Sequence, residues 1–267
     1  MEDQQQTNST RRLVVRISPT SLSFSTADIG DVSYKPYALN NSISMAANLR
    51  EALKTEPMLA EQYERVLVMA DTPTLVVPTT IFQENEEEAL YRYTFSGINQ
   101  HSILHTVLPG LNSVAIFSLA KDLCTVIGDA FPAARYVPAM TPVWCHLHQR
   151  SYTGQREKLY AYFHEHRMEV VSYGKNRFKF CNSYAVNSPN DAMFFMLSVW
   201  KQLGLEAERD ELHMVGDLPD HEALMGELQK FIKRVFFIIP SGEFNRAPIT
   251  QIKDVPYDLI TLYVKGL

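Results

Sequence analysis

No stretch of the sequence stays apolar for the roughly 20 residues a membrane-crossing helix needs, so no membrane insertion is expected. Basic residues are too few to form a dominant face: 25 Lys and Arg stand against 30 Asp and Glu, a net charge of −5. That balance gives no electrostatic case for nucleic acid and no polybasic stretch for an anionic bilayer. Cysteine is scarce as well. Cys124, Cys145 and Cys181 are odd in number and scattered, which suits small core residues in a reducing, cytoplasmic setting rather than a disulfide framework. The opening MEDQQQTNST is polar, with no apolar run behind it, unlike a secretory signal. The spacings HExxH, CxxC, GxSxG and GxxxxGK[ST] are all missing, and with them the usual metalloprotease, hydrolase-elbow and P-loop chemistries.

What is present is a repeated order of elements. Residues 1–10 read as a disordered tail. RRLVVRISPTSLSFSTAD alternates apolar and polar residues around Ser18-Pro19-Thr20, the pattern of a β-hairpin, and VSYKPYAL returns as a third strand. A helix, strands, a second helix and further strands follow. SYTGQRE, with Gly154, marks an internal boundary, giving segments 11–156 and 157–267. After it the order begins again. KLYAYFHE, RMEVVSYG and NRFKFCNSY form a meander, and Gly174-Lys175-Asn176 is expected to supply left-handed turn residues. SPNDAMFFMLSVWKQLGL is a helix with Ser188 at the N-cap, Pro189 at N1, Asp191 at the capping-box position and Gly204 past its end. ELHMVG, PDHEALMGELQKFI, RVFFII and PYDLITLYV then read as strand, helix, strand and closing helix. The fold class is α/β with a mixed sheet in each half.

A meander–helix–strand–helix–strand unit used twice resembles the ribonuclease-H-like fold, in duplicate the actin, hexokinase and seventy-kilodalton heat-shock superfamily. ELHMVGDLPDHEALMGEL resembles the superfamily's adenosine element, with Gly216 at its first glycine and Asp217 where the second is expected. More closely, LYAYFHEHRMEVVSYGKNRFKFCNSY, NDAMFFMLSVWKQLGL and HMVGDL resemble a Bacteroidetes domain-of-unknown-function family assigned the actin-like ATPase fold. The resemblance covers nearly all of residues 11–267. It implies a duplicated actin-like fold of two lobes and no particular activity.

The resemblance also implies where a nucleotide would be held. Active members place an acid and glycines at the first hairpin of each half, because Mg²⁺ takes hard oxygen ligands and phosphates need close backbone N–H groups. Here Arg16 stands where the first acid is expected, Ser18 at the first glycine, and Pro19 has no N–H to offer. In the second half His164 is matched to the acid's position, and His166 and Arg167 fall where glycines belong. Asp28-Ile29-Gly30 spells the superfamily's phosphate letters, but Asp and Gly favour turns for their own backbone reasons, and it is read as a turn. Arg16, Arg167 and Lys175 are read as surface charges rather than an anion cleft.

His164-Glu165-His166 raises a separate possibility. On a strand the two histidines share one face, yet no third ligand suggests itself, and exposed hairpin histidines are the plainer reading. His146 and His148 fall on a helix, where residues two apart do not converge. No metal and no cofactor are expected. The favoured expectation is a cytoplasmic, non-catalytic scaffold or interaction module with an unidentified protein partner, as pilus-assembly relatives bind partner peptides. Self-association as a homodimer stays open. Two alternatives remain: a protein binding ATP and Mg²⁺ near Gly216, and a metal-dependent hydrolase at His164 and His166.

Overall fold

The computed structural model describes residues 11–28, 31–218 and 220–267. The expected tail at 1–10, and Ile29 and Gly30 of the Asp28-Ile29-Gly30 turn, lie outside them. The chain divides into two compact units. One takes the chain up to Leu75 with Gln83–Thr106 and Ala115–Ala139; the other takes Val76–Phe82, Val107–Val114 and Met140–Leu267.

The first unit opens with an antiparallel meander of β1 (Arg12–Ile17), β2 (Leu22–Asp28) and β3 (Asp31–Tyr37). Helix α1 (Met45–Thr55) begins at Ser44, whose hydroxyl accepts from the Ala47 N–H and so satisfies one of the helix's orphan donors. Strand β4 (Arg65–Ala70) returns parallel to β1. Next come β5 (Leu75–Pro78), α2 (Glu87–Thr94), β6 (His101–Leu108), β7 (Ser113–Ala120) and α3 (Lys121–Ala130), the strands ordered β5-β7-β6. Strand β8 (Arg135–Pro138) completes the five-stranded sheet β3-β2-β1-β4-β8. Alternate residues Leu13, Val15 and Ile17 of β1 and Val66, Val68 and Ala70 of β4 bury one sheet face. Leu49 of α1 and Leu123 and Ile127 of α3 pack in the same core. The period is two on the strands and four on α3, as each geometry requires.

The second unit repeats this order. After α4 (Thr141–Ser151) come β9 (Lys158–His164), β10 (Arg167–Gly174) and β11 (Arg177–Ala185), then α5 (Pro189–Gln202), β12 (Glu211–Gly216), α6 (His221–Leu228) and β13 (Val235–Phe237). The sheet runs β11-β10-β9-β12-β13, with β12 parallel to β9. Helices α7 (Pro240–Glu243) and α8 (Tyr257–Lys265) close the chain. Leu159, Ala161 and Phe163 of β9 face a core shared with Met196, Val199 and Trp200 of α5 and Leu224 and Leu228 of α6. The opposite sheet face is buried too. There the Tyr173 hydroxyl donates to the Trp144 carbonyl of α4 at 3.1 Å, and Tyr162 lies against Tyr257 of α8, ring centres 5.6 Å apart.

Local signals explain the ends of these elements. The Ser188 hydroxyl accepts from the Asp191 N–H at 3.2 Å, the Asp191 carboxylate reaches back to the Asn187 N–H, and Gly204 takes a φ of +66° just past α5. Lys158 is buried, and its ammonium donates to the carbonyls of Arg150 and Thr153 and to the Thr153 hydroxyl. It thereby satisfies the open carbonyl end of α4. One turn differs from expectation. Gly174, Lys175 and Asn176 all keep negative φ, and the left-handed pair lies in the preceding hairpin, at Glu165 and His166. A bulge between Ser172 and Tyr173 supplies the extra twist to β10 and β11 that a left-handed turn would otherwise give.

Candidate functional site

The first hairpin joins β1 to β2 through Ser18–Ser21. Arg16 is 1% exposed, and its guanidinium donates to Asp71 Oδ2 at 3.2 Å; Asp71 is 3% exposed. A second Arg16 nitrogen donates to Ser21 Oγ at 3.2 Å. Asp71 directly follows β4, and its N–H donates to the Ile17 carbonyl at 2.8 Å, which pins the carboxylate beside the end of β1. The reading of Arg16 as a surface charge is therefore corrected. Its strand position points away from the Leu13-Val15-Ile17 face, and the periodicity did not reveal that this second face is covered too.

The loop itself consumes its donors. The Ser18 N–H donates to the Ser21 carbonyl at 2.9 Å. Pro19 has none. The N–H groups of Thr20 and Ser21 both donate to Ser18 Oγ, at 3.1 and 2.8 Å. The Ser18 hydroxyl thus occupies both of these loop amides.

The second hairpin turns in two residues, Glu165 at φ +44° and His166 at φ +59°. Both lie in the left-handed region that side chains other than glycine and asparagine resist. His166 is exposed, so replacing it by glycine relieves this strain without opening the core. His166→Gly is expected to raise stability by about 0.5–1 kcal/mol, read as a higher denaturation midpoint in urea.

His164 ends β9 and is buried, 5% exposed. This corrects the reading of an exposed histidine sharing a strand face with His166: the chain leaves the strand between them. The His164 ring stacks on Tyr162 at 4.6 Å, with Nε2 3.7 Å from Glu169 Oε1. That carboxylate accepts from Arg167 at 2.9 Å, and Arg167 also donates to Ser183 Oγ. Among the described residues no three His, Cys, Asp or Glu side chains gather as a metal site would require.

The two units match through one backbone bond. Asp217 N–H donates to the Phe163 carbonyl at 3.0 Å, as Asp71 N–H does to Ile17. β9 pairs with β12 up to Phe163 and Gly216, as β1 pairs with β4 up to Ile17 and Ala70. Arg16 therefore corresponds to Tyr162, and Ser18 to His164. The sequence matched Arg16 to His164, two residues further on, because hairpin loops of four and two residues hide the register. Tyr162 brings no carboxylate; its hydroxyl donates to Asp258 Oδ2 at 3.2 Å.

Gly216 has its own backbone reason. At φ +98°, a Cβ on it would stand 2.0 Å from the Phe163 carbonyl oxygen. Asp217 is exposed, but its N–H is already used.

A further polar layer, which the sequence did not reveal, lies in the second unit. Glu243 of α7 accepts from Arg150 and sits 3.0 Å from His146 Nε2, both on α4. His148 Nε2 is within hydrogen-bonding distance of the Lys175 carbonyl and the Tyr152 hydroxyl. The two helical histidines thus have separate partners. The hydrogen bond from His146, joined by Arg150, holds the Glu243 carboxyl below its ordinary range despite burial. A depressed carboxyl stabilises the fold above the unfolded pKa, and this is lost as pH falls through the folded value. Glu243→Gln should lower stability at pH 7 and flatten the loss of stability below about pH 4.5, measured by urea unfolding across pH.

No curated protein sequence matches the chain. Among solved structures, a Bacteroides thetaiotaomicron VPI-5482 protein described as having an actin-like ATPase fold and unknown function aligns with a TM-score of 0.81. It is 27% identical over 95% of this chain and 100% of that one. A type IV pilus biogenesis complex, PilM–PilN, gives 0.49 at 12% identity over 95% and 97%. The cytoplasmic domain of EpsL, an inner membrane component of the Vibrio cholerae type II secretion system, gives 0.44 at 14% over 79% and 84%. The last two are too remote to carry an argument. The duplicated unit and the first likeness together define a protein with the actin-like ATPase fold, two lobes each with a mixed sheet flanked by helices. The chain belongs to the family described as Protein of unknown function (DUF3822), whose model matches residues 2–235. No helix among the described residues is long and apolar enough to cross a membrane.

Proposed function

We propose that this protein is a non-catalytic relative of the actin-like ATPases that works as a scaffold or protein-interaction module. The observation that carries the reading is the first hairpin: Arg16 is paired with Asp71 where an acid is expected, and Ser18 Oγ holds the loop amides. A guanidinium beside the carboxylate takes the place a cation would fill, so magnesium triphosphate does not fit the residues present. The second hairpin supports the same view, with Tyr162 at the matching position and side chains at both turn residues. Fold alone does not decide activity, so the reading rests on the chemistry of these two hairpins.

The competing reading, nucleotide binding near Gly216 and Asp217, is less well supported, because Gly216 is required by the Phe163 carbonyl and the Asp217 amide is spent. Thermal unfolding with millimolar Mg-ATP tests the proposal. No rise in Tm is expected. A rise of several degrees that disappears in Asp217→Lys, a change at an exposed side chain, would favour the competing reading.

A further inference from the structure

The second unit carries a groove of about 1320 Å³ along β11, walled by Val76, Pro78, Thr80 and Asn112 on one side and by Arg177 and Lys179 on the other. Small-molecule sites occupy about 300–1,000 Å³, so this volume suits a length of polypeptide better than a metabolite. The wall is fixed: Asn112 Nδ2 donates to the Asn176 carbonyl at 3.1 Å, and the Thr79 N–H and hydroxyl both donate to the Asn112 carbonyl.

Strand β11 ends its sheet, and among the described residues only β10 pairs with it. An end strand presents a row of unused N–H and C=O groups, which proteins usually blunt by shortness or proline. Most other end strands here are blunted: β13 has three residues, β3 contains Pro36, and β5 and β8 have four residues each and end in Pro78 and Pro138. β6, with eight residues and no proline, is not, but the groove runs along β11. β11 has nine residues and no proline. Its charge is one-sided as well. Lys175, Arg177 and Lys179 line the groove, with no acidic residue among the lining side chains. Lys179 pairs with Glu157, whereas Lys175 and Arg177 are exposed and form no ion pair among the described residues.

We propose that the outer edge of β11 receives an acidic, extended segment of a partner protein as an added strand, its carboxylates meeting Lys175 and Arg177. Main-chain bonds to the edge would supply affinity and the basic side chains selectivity. The same charges oppose pairing of two copies through this edge. The proposal rests on the interaction-module reading and names its partner class.

The test uses the full chain and two pools of fluorescein-labelled ten-residue peptides. Both alternate β-branched residues with variable positions, one pool carrying Glu and Asp there, the other Lys and Arg. Fluorescence anisotropy should show the acidic pool binding, more weakly as salt rises, with amide exchange slowed in β11. Lys175→Glu with Arg177→Glu, exposed changes that leave the fold intact by circular dichroism, should weaken binding at least about tenfold. N-methylation at alternate peptide positions should abolish it. Binding by neither pool, equal binding by both, or unchanged exchange in β11 overturns the proposal. Concentration-dependent self-association that slows exchange in β11 overturns it in favour of a second copy. None of these outcomes bears on Mg-ATP, so the non-catalytic reading stands or falls separately.

Discussion

Replacing Gly216 by alanine should cost the protein its stable fold. The added methyl would stand 2.0 Å from the Phe163 carbonyl oxygen, a backbone atom that also accepts the Asp217 N–H. The residue would in addition have to hold φ at +98°, a region that L side chains rarely adopt. Neither strain can be relieved without parting β9 from β12 at the centre of the sheet. The expected loss exceeds about 4 kcal/mol, seen as insoluble protein or a collapsed urea midpoint. An alanine variant with a wild-type midpoint would show that the loop has another conformation open to it. The size of this effect also means that a bulky change at Gly216 cannot report on ligand binding, since its first consequence is structural.

The second large effect is at Arg16. Arg16→Met removes the guanidinium and leaves the Asp71 carboxylate buried without its ion-pair partner, which should cost about 3–5 kcal/mol. Changing both ends, Arg16→Met with Asp71→Leu, should recover most of that loss, because apolar replacements of a buried pair are often near neutral. A double-mutant cycle in urea measures the coupling directly. If Arg16→Met costs less than about 0.5 kcal/mol, the pair does not hold the hairpin and the case for a built-in cation weakens.

Much of the fold was legible in the sequence. The alternation in RRLVVRI and KLYAYFH, the Ser188-Pro189 start and Gly204 stop of α5, and the closing helix all reflect local chemistry that survives in the folded chain. The site was less legible. Alternation says which residues share a face of a strand, but not that the second face is covered as well. Alternation thus gives Arg16 and His164 the look of surface groups, although both are buried. The partner of Arg16 lies 55 positions away; the signal was present as an aspartate closing the apolar run VLVMA, but only the parallel pairing of β4 with β1 gives it meaning. The equivalence of Arg16 with Tyr162 depends on strand register, which loops of unequal length conceal. Short α7, four residues that carry Glu243, has too little pattern to be legible in the sequence.

The most direct test of the central claim is isothermal titration calorimetry of purified protein with ATP in the presence and absence of magnesium. Amides already bonded to Ser18 and a guanidinium seated against Asp71 predict no saturable heat at millimolar nucleotide in either case. A magnesium-dependent isotherm with a micromolar Kd would contradict that account.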